Sequence, residues 1–370
     1  MTRRIRILQV GLGDWGRDWA WRVNPTVDEA EVVGYVDSDP PALALLAKRL
    51  PVSRERCFGS LVDGIQATQP DALLVTTTLA GHAPLVRAGL EAGLHVLVEK
   101  PFTDTLETAA ELVSLAAAKG LVLMVSQNYR FFPASRIAAQ LVREGNLGEL
   151  HGIGIDFRRD YSSPPKPRFR LHSDPQPLLV DMSIHHFDLL RLVLGREPDR
   201  AFCATANAGK GGFDGPPSAT ASIFFGDILV SYRASWISAR AKTPWAGEWT
   251  MEFENGHVYW TSRGDNGVLH DKVVVTPRRG RRRVVELPAM SRIDRAGTLG
   301  EFAAALLEAR EPETSGRDNL ATLAFTLAAV ESSQRQAWME MPQVKAGLGS
   351  IAIPGNGAPP GAQAKSAPHS

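Results

Sequence analysis

The run Gly11-Leu12-Gly13-Asp14-Trp15-Gly16 constrains this chain more than any other stretch. It is a G-x-G-x-x-G turn that follows an apolar strand-like segment, Arg4 to Val10, and opens a helical pattern. A second strand-like run, Glu31 to Asp37, ends in a carboxylate about 20 residues later. Strand, glycine turn, helix and distant carboxylate form the fingerprint of a dinucleotide-binding βαβ unit. Gly11 permits the tight turn, Gly13 lets the backbone approach a pyrophosphate, and Gly16 lets the helix sit close to the sheet. The helix N-terminus, which begins at Asp14 and Trp15, offers unpaired N–H groups to phosphates. Trp15 reads either as a packing residue or as a cover over the nicotinamide. Asp37 would accept hydrogen bonds from ribose hydroxyls. A carboxylate there repels a 2′-phosphate, and Ser38-Asp39-Pro40-Pro41 brings no arginine, so NAD is the expected cofactor and NADP the less favoured one.

The first third alternates strands and helices. Further strands are expected at Asp71–Thr76, Leu94–Glu99 and Leu121–Ser126, and helices at Pro41–Leu50, Ala83–Ala92 and Leu106–Lys119, the last ended by Gly120. Unbroken Val/Leu/Ile runs suit strands covered on both faces, and the alternation implies a doubly wound parallel sheet. After about residue 127 the pattern changes. A helix (Ala134–Glu144), a strand near Gly152–Arg158 and a helical stretch (Leu179–Leu194) precede seven strand candidates without intervening helices. These are Ala201–Ala208, Ala219–Phe225, Leu229–Trp236, Trp249–Phe253, His257–Thr261, Lys272–Thr276 and Arg283–Leu287, and consecutive strands indicate an antiparallel sheet. Two helices, Leu299–Arg310 and Arg317–Ala337, close the folded part. The expected division is 1–126 for a Rossmann domain, 127–346 for an α/β domain and 347–370 for a disordered tail rich in Gly, Pro and Ala.

Charge and composition remove several classes. Against 41 basic side chains stand 40 acidic ones, a formal charge of +1, which disfavours a nucleic-acid binder. The local run Arg278-Arg279-Gly280-Arg281-Arg282-Arg283 lies between two strand candidates and reads as an exposed hairpin turn. Two distant cysteines, Cys57 and Cys203, exclude a disulfide framework and a multi-cysteine zinc site. No apolar run reaches the roughly 18 residues of a membrane span. The short apolar stretch after Arg3-Arg4 is a strand rather than an export signal, so a cytoplasmic enzyme is the expectation.

Two further constellations carry chemistry. Glu99-Lys100-Pro101 ends a strand of the parallel sheet, where ligands of open α/β sheets bind. Asp181-Met182-Ser183-Ile184-His185-His186-Phe187-Asp188 places Asp181 and His185 four apart, on one face of a helix, with Asp188 three beyond. A carboxylate beside an imidazole fixes its tautomer and raises its basicity. The alternatives are a solvated lysine, a capped helix start or a metal site; the last is disfavoured because His185 and His186 are adjacent and point apart. No metal is expected.

Taken in order, these elements resemble the glucose-fructose oxidoreductase / inositol dehydrogenase / rhizopine catabolism (Gfo/Idh/MocA) family over about residues 4 to 345. Thr77 with His82 resembles the family's element after the fourth strand, and Gln127-Asn128-Tyr129-Arg130-Phe131 the segment opening its second domain. Thr78 stands where proline is usual, and Pro175-Gln176-Pro177 replaces a common glycine run. The resemblance implies a Rossmann domain plus an α/β domain with a large open, mostly antiparallel sheet, whose exposed face serves a homodimer or homotetramer. It implies a Lys100–Pro101 peptide that is often cis. It implies a cofactor site from Gly11, Gly13, Asp14, Trp15, Gly16, Asp37, Thr76, Thr77, His82, Glu99, Lys100 and Gln127. Lys100, Asp181 and His185 are the implied catalytic residues, and Tyr129, Arg158, Asp181 and His185 the substrate contacts. The expected reaction is hydride transfer between nicotinamide and a carbinol carbon of a sugar, cyclitol or related polyol. His185 would be the general base, Lys100 would stabilise the alkoxide, and Asp181 would orient the substrate hydroxyl and Lys100 or His185. Arg159, Arg168, Arg170, Trp236, Trp245 and Trp249 are further candidates for hydroxyls, carboxylates or sugar stacking, with core packing the alternative for the tryptophans. A non-catalytic dinucleotide sensor of the same fold is the alternative function.

Overall fold

In the computed structural model of the protein, residues 3–163, 170–209 and 211–341 are described. Arg168, the Arg170 side chain and the 347–370 tail fall outside what is described.

The apolar runs of the first third pair side by side as six parallel strands. They are β1 (Ile5–Val10), β2 (Ala30–Val36), β3 (Cys57–Phe58), β4 (Ala72–Val75), β5 (His95–Glu99) and β6 (Leu123–Ser126), in the order β3-β2-β1-β4-β5-β6. The order reverses between β1 and β4, and the carboxyl ends of strands beside such a reversal form the ligand crevice of doubly wound sheets. Alternate residues feed opposite cores. Leu73, Val75, Val96 and Val98 meet Leu112 and Val113 of helix Leu106–Ala118, with Leu320 and Leu323 of helix Gly316–Arg335. Leu74, Leu97 and Met124 meet Leu299 and Phe302 of helix Asp294–Glu308. This two-sided burial is why these strands read as unbroken apolar runs. The closing helices thus return to the first sheet, although sheet membership changes after Ser126.

The later strands form a nine-stranded sheet: β7 (Leu150–Arg158), β8 (Arg200–Ala206), β9 (Ser218–Phe225), β10 (Ile228–Ser235), β11 (Glu248–Phe253), β12 (Gly256–Thr261), β13 (Lys272–Pro277), β14 (Arg283–Val285) and β15 (Met339–Glu340). Their order is β14-β13-β12-β11-β7-β10-β9-β8-β15, antiparallel except for the parallel β7–β10 pair. One face carries Ile153, Ile155 and Phe157 into a core with Phe187 and Leu190 of helix Ile184–Leu194. Trp249 and Trp260 stack in that core, ring centroids 4.6 Å apart. Arg278 to Arg282 form the exposed turn between β13 and β14. Among the described residues, no helix is long and apolar enough to cross a membrane.

Three features depart from the sequence reading. The helix expected over Leu179–Leu194 begins as a π-helical turn, Leu179–Ser183, and becomes α-helical only from Ile184. Helix Leu61–Thr68 and the two-residue strands β3 and β15 were not anticipated. A two-residue strand carries no period to detect.

Candidate active site

The glycine turn is built as its residue types require. Gly11 has φ +94°, and a Cβ there would lie 2.7 Å from the Thr77 amide nitrogen. A Cβ at Gly16 would lie 1.9 Å from the Gly11 carbonyl oxygen. Gly13 differs: a Cβ there would meet nothing within 4 Å, so no protein atom demands glycine. Thr76 is buried beneath the turn, its hydroxyl donating to the Gly11 carbonyl at 2.7 Å. Gln9 donates to the Gly16 carbonyl at 2.7 Å. Asp37 accepts from the Leu12 amide at 2.6 Å and from the Asp39 amide at 2.9 Å. Each of its oxygens keeps capacity for one more donor. Asp14 is exposed and pairs with Arg17. Trp15 is 44% exposed, with the Arg295 guanidinium 4.1 Å from its ring centroid.

The other expected cofactor residues lie beyond the carboxyl ends of β4, β5 and β6. Glu99 is buried; it accepts from the Trp19 indole at 2.7 Å and from the Lys100 amide at 3.1 Å. The Lys100–Pro101 peptide is cis. His82 sits as a strut between two loops, Nδ1 2.7 Å from the Pro101 carbonyl and Nε2 3.3 Å from the Thr77 carbonyl. Burial holds its imidazole below the ordinary value. The Gln127 side chain is buried with both polar atoms unpartnered.

Lys100 reaches across from β5 to the π-helical turn. Its Nζ donates to the Asp181 carbonyl at 2.6 Å and to the Asp181 carboxylate at 3.1 Å. His185 lies beside this pair, in the first turn of helix Ile184–Leu194, with its ring stacked on Tyr129 at 4.0 Å and 3° from parallel. Its Nδ1 is buried without a hydrogen-bond partner. Burial, and then the nearby Lys100 and Arg263 cations, push its imidazole well below the ordinary histidine range. The two carboxylates expected to flank His185 take other partners. Asp181 engages Lys100, and Asp188 is held bidentate by Arg130 at 2.7 Å and 2.7 Å. Asp181 lies in the π-helical turn and His185 in the α-helix that follows it. His186 turns away, into a chain of contacts with Tyr232 (2.9 Å) and the Trp245 carbonyl (3.0 Å).

A cleft of about 480 Å³ opens between the first helix and the second sheet. Asp14, Trp15 and Asp18 line one wall, and Trp245, Arg263 and Asp294 the other. Of the tryptophans proposed for stacking, Trp245 lines the cleft, while Trp236 and Trp249 are in the core. Phe157 and Arg159 alternate with Arg158 along β7, so Arg158 points to the opposite face of the sheet. There it pairs with Asp156 and with Glu248 at 2.7 Å. The structure therefore does not bring Arg158 to the cluster, whereas Arg159 lies 4.1 Å from the Trp245 ring and binds Asp265. Sequence reasoning missed Arg263, Asp294 and Arg295. Arg263 sits in Thr261-Ser262-Arg263-Gly264-Asp265-Asn266-Gly267, a composition that marks a turn but not where its arginine points.

Residues 5–127 match a family model described as an oxidoreductase family with an NAD-binding Rossmann fold, and residues 135–259 match a GFO/IDH/MocA C-terminal domain. A D-apiose dehydrogenase of Paraburkholderia graminis is 25% identical, with 96% of this chain and 95% of that protein covered. Two solved structures share the fold. An oxidoreductase from Agrobacterium radiobacter, in complex with NAD+, L-tartaric acid and magnesium, has a TM-score of 0.79 at 20% identity, covering 91% of this chain and 98% of the other. An aldose-aldose oxidoreductase from Caulobacter crescentus, complexed with glycerol, has a TM-score of 0.79 at 17% identity, covering 92% and 100%. With both of its halves matched, the chain belongs to the Gfo/Idh/MocA family of oxidoreductases.

Proposed function

We propose that this oxidoreductase is an NAD-dependent dehydrogenase acting on a carbinol carbon of a sugar, cyclitol or related polyol. The observation that carries the reading is the half-buried Lys100–Asp181 pair with His185 beside it, at the carboxyl end of a strand in the dinucleotide-type sheet. The glycine turn fits a dinucleotide. Gly13 leaves open space above its Cα, Asp37 keeps acceptor capacity, and the Gln127 amide lacks a protein partner. When bound, the nicotinamide supplies the hydride acceptor or donor.

The protein must hold the substrate oxygen and move one proton. Two of the three Nζ protons of Lys100 go to Asp181, which leaves the third for the reacting oxygen. That donor stabilises developing alkoxide charge. His185 is uncharged near neutral pH and can take the hydroxyl proton, at Nε2 because Nδ1 is buried. Asp181 fixes the direction of the Lys100 ammonium. Trp245, which lines the cleft, offers an indole to sugar C–H groups, whereas Tyr129 is buried between His185 and Arg263. The D-apiose dehydrogenase relative, and the fold neighbours holding tartaric acid and glycerol, support polyhydroxy substrates.

The test is a panel of sugars, cyclitols and sugar acids incubated with NAD+ and the full chain, read by the ultraviolet absorbance of reduced nicotinamide. Turnover of at least one polyol is expected. Tight NAD+ binding with no turnover of any would favour a sensor.

A further inference from the structure

Five described non-glycine residues have positive φ: Gln69, Arg263, Asp294, Ala309 and Gln336. Gln69, Ala309 and Gln336 each end a helix, where the left-handed conformation is ordinary. Arg263 (φ +56°) and Asp294 (φ +57°) end none. These two face each other, Nε to Oδ1 3.7 Å apart, and both line the cleft. Such backbone persists where its surroundings over-determine it, and it gathers at functional sites.

The surroundings here are specific. The Asp271 carboxylate accepts from the Arg263 amide at 2.9 Å, the Gly264 amide at 3.2 Å and the Ser262 hydroxyl at 3.3 Å. The Trp245 amide donates to the Arg263 carbonyl at 2.9 Å. Opposite, the Asp294 amide donates to the Phe131 carbonyl at 3.0 Å, and the Asn128 amide side chain donates to the Asp294 carboxylate. The result is a guanidinium 4.6 Å from the centroid of the Tyr129 ring, donating to its hydroxyl at 3.3 Å. Tyr129 in turn stacks on His185.

We propose that Arg263 is a positioning residue of the site: a fixed cation that presses Tyr129 onto His185 and disfavours a second positive charge on that ring. This rests on reading His185 as the general base. The charged and titratable groups that bear on the imidazole come from three elements: Lys100 from the loop after β5, Arg263 from the loop after β12, and the titratable His186 from its own helix. All act in the same direction, and the carboxylate closest in the chain, Asp181, is engaged by Lys100. Removing the Arg263 charge must therefore raise the proton affinity of His185.

The test uses the full chain labelled with 13C-histidine, with the His185 resonance assigned by loss in H185Q. In R263M the His185 titration midpoint should rise by about one pH unit, a roughly tenfold gain in proton affinity, while R263K keeps the wild-type midpoint. The acid limb of kcat/KM for polyol oxidation should move to higher pH in the same variant, with NAD+ affinity unchanged. R263Q carries the same expectation should R263M not fold. An unshifted His185 titration in the charge-removing variant overturns the proposal, whether or not any substrate turns over. A shifted His185 in a chain that turns over nothing would instead contradict the dehydrogenase reading alone.

Discussion

The Lys100 ammonium lies 2.6 Å from the carbonyl oxygen of Asp181 and 3.1 Å from its carboxylate. This contact joins the end of β5 to the turn that precedes the His185 helix. It converts a lysine at a strand end into an oriented donor with one proton to spare.

Gly13 and Gly16 should behave oppositely. Gly16→Ala forces a Cβ against the Gly11 carbonyl at 1.9 Å and should cost about 3 kcal/mol in urea unfolding. Gly13→Ala meets open space and should unfold within about 0.5 kcal/mol of the parent. Its NAD+ affinity should nonetheless fall about tenfold or more, because the pyrophosphate would approach that backbone. Equal NAD+ affinity for Gly13→Ala and the parent would remove the phosphate from this turn.

Asp37 should set the choice of dinucleotide. Asp37→Ser removes the charge that opposes a 2′-phosphate and two charge-assisted acceptors for amide groups. The preference for NAD+ over NADP+ should drop by about tenfold or more in titration calorimetry. An unchanged ratio would move the selection elsewhere.

Stability should fall as the medium is acidified from about pH 6.5 to pH 4. Burial lowers His95 and His186 to about 4, and His82 and His185 are lowered as well. In the unfolded chain all four titrate near 6.5. Between these limits the unfolded state binds more protons, so the folded state loses ground as pH drops. Each fully shifted histidine contributes up to about 1.4 kcal/mol per pH unit. At His95 burial is the main cause, and its Nδ1 accepts from the Val122 amide at 2.9 Å, which a protonated ring cannot do. His95→Gln should flatten the slope of denaturation midpoint against pH, and an unchanged slope would contradict this.

Arg130 and Asp188 should be costly to separate. Both are buried, and Asp188 also takes the Thr322 hydroxyl at 2.7 Å. Removing either partner alone, as in Arg130→Met or Asp188→Leu, unbalances a buried network that also holds Asp318 and Arg191 and should cost about 3 kcal/mol. The double variant should recover much of that loss in the same urea titration. Simple additivity of the two single losses would show that the pair is not coupled.

Much of this was legible in the residues. The strands of the first sheet are unbroken apolar runs because both of their faces are covered, and Thr105 and Gly120 mark the ends of helix Leu106–Ala118 through a hydroxyl cap and φ +64°. The second sheet was legible as consecutive strands without helices between them, down to the hairpin turn at Arg278 to Arg282. Lys100, Asp181 and His185 lie together, but Asp181, in the π-turn Leu179–Ser183, engages Lys100 rather than His185. One extra residue in a helical turn leaves no trace in an apolar period. Arg158 was misplaced for a related reason: strand alternation sends it and Arg159 to opposite faces, and only the register decides which faces the cleft. Arg263 and Asp294 were out of reach, since a left-handed φ in a loop is set by distant partners such as Asp271 and Asn128.

The central claim is that Lys100 acts on the reacting oxygen and not on the dinucleotide. The most direct measurement compares Lys100→Met with the parent chain, in single-turnover reduction of NAD+ by a responsive polyol and in NAD+ titration. Turnover slowed by roughly 10²-fold or more, with NAD+ affinity within about threefold of the parent, is the expected result. Near-normal turnover in Lys100→Met, or a loss confined to NAD+ affinity, would contradict it.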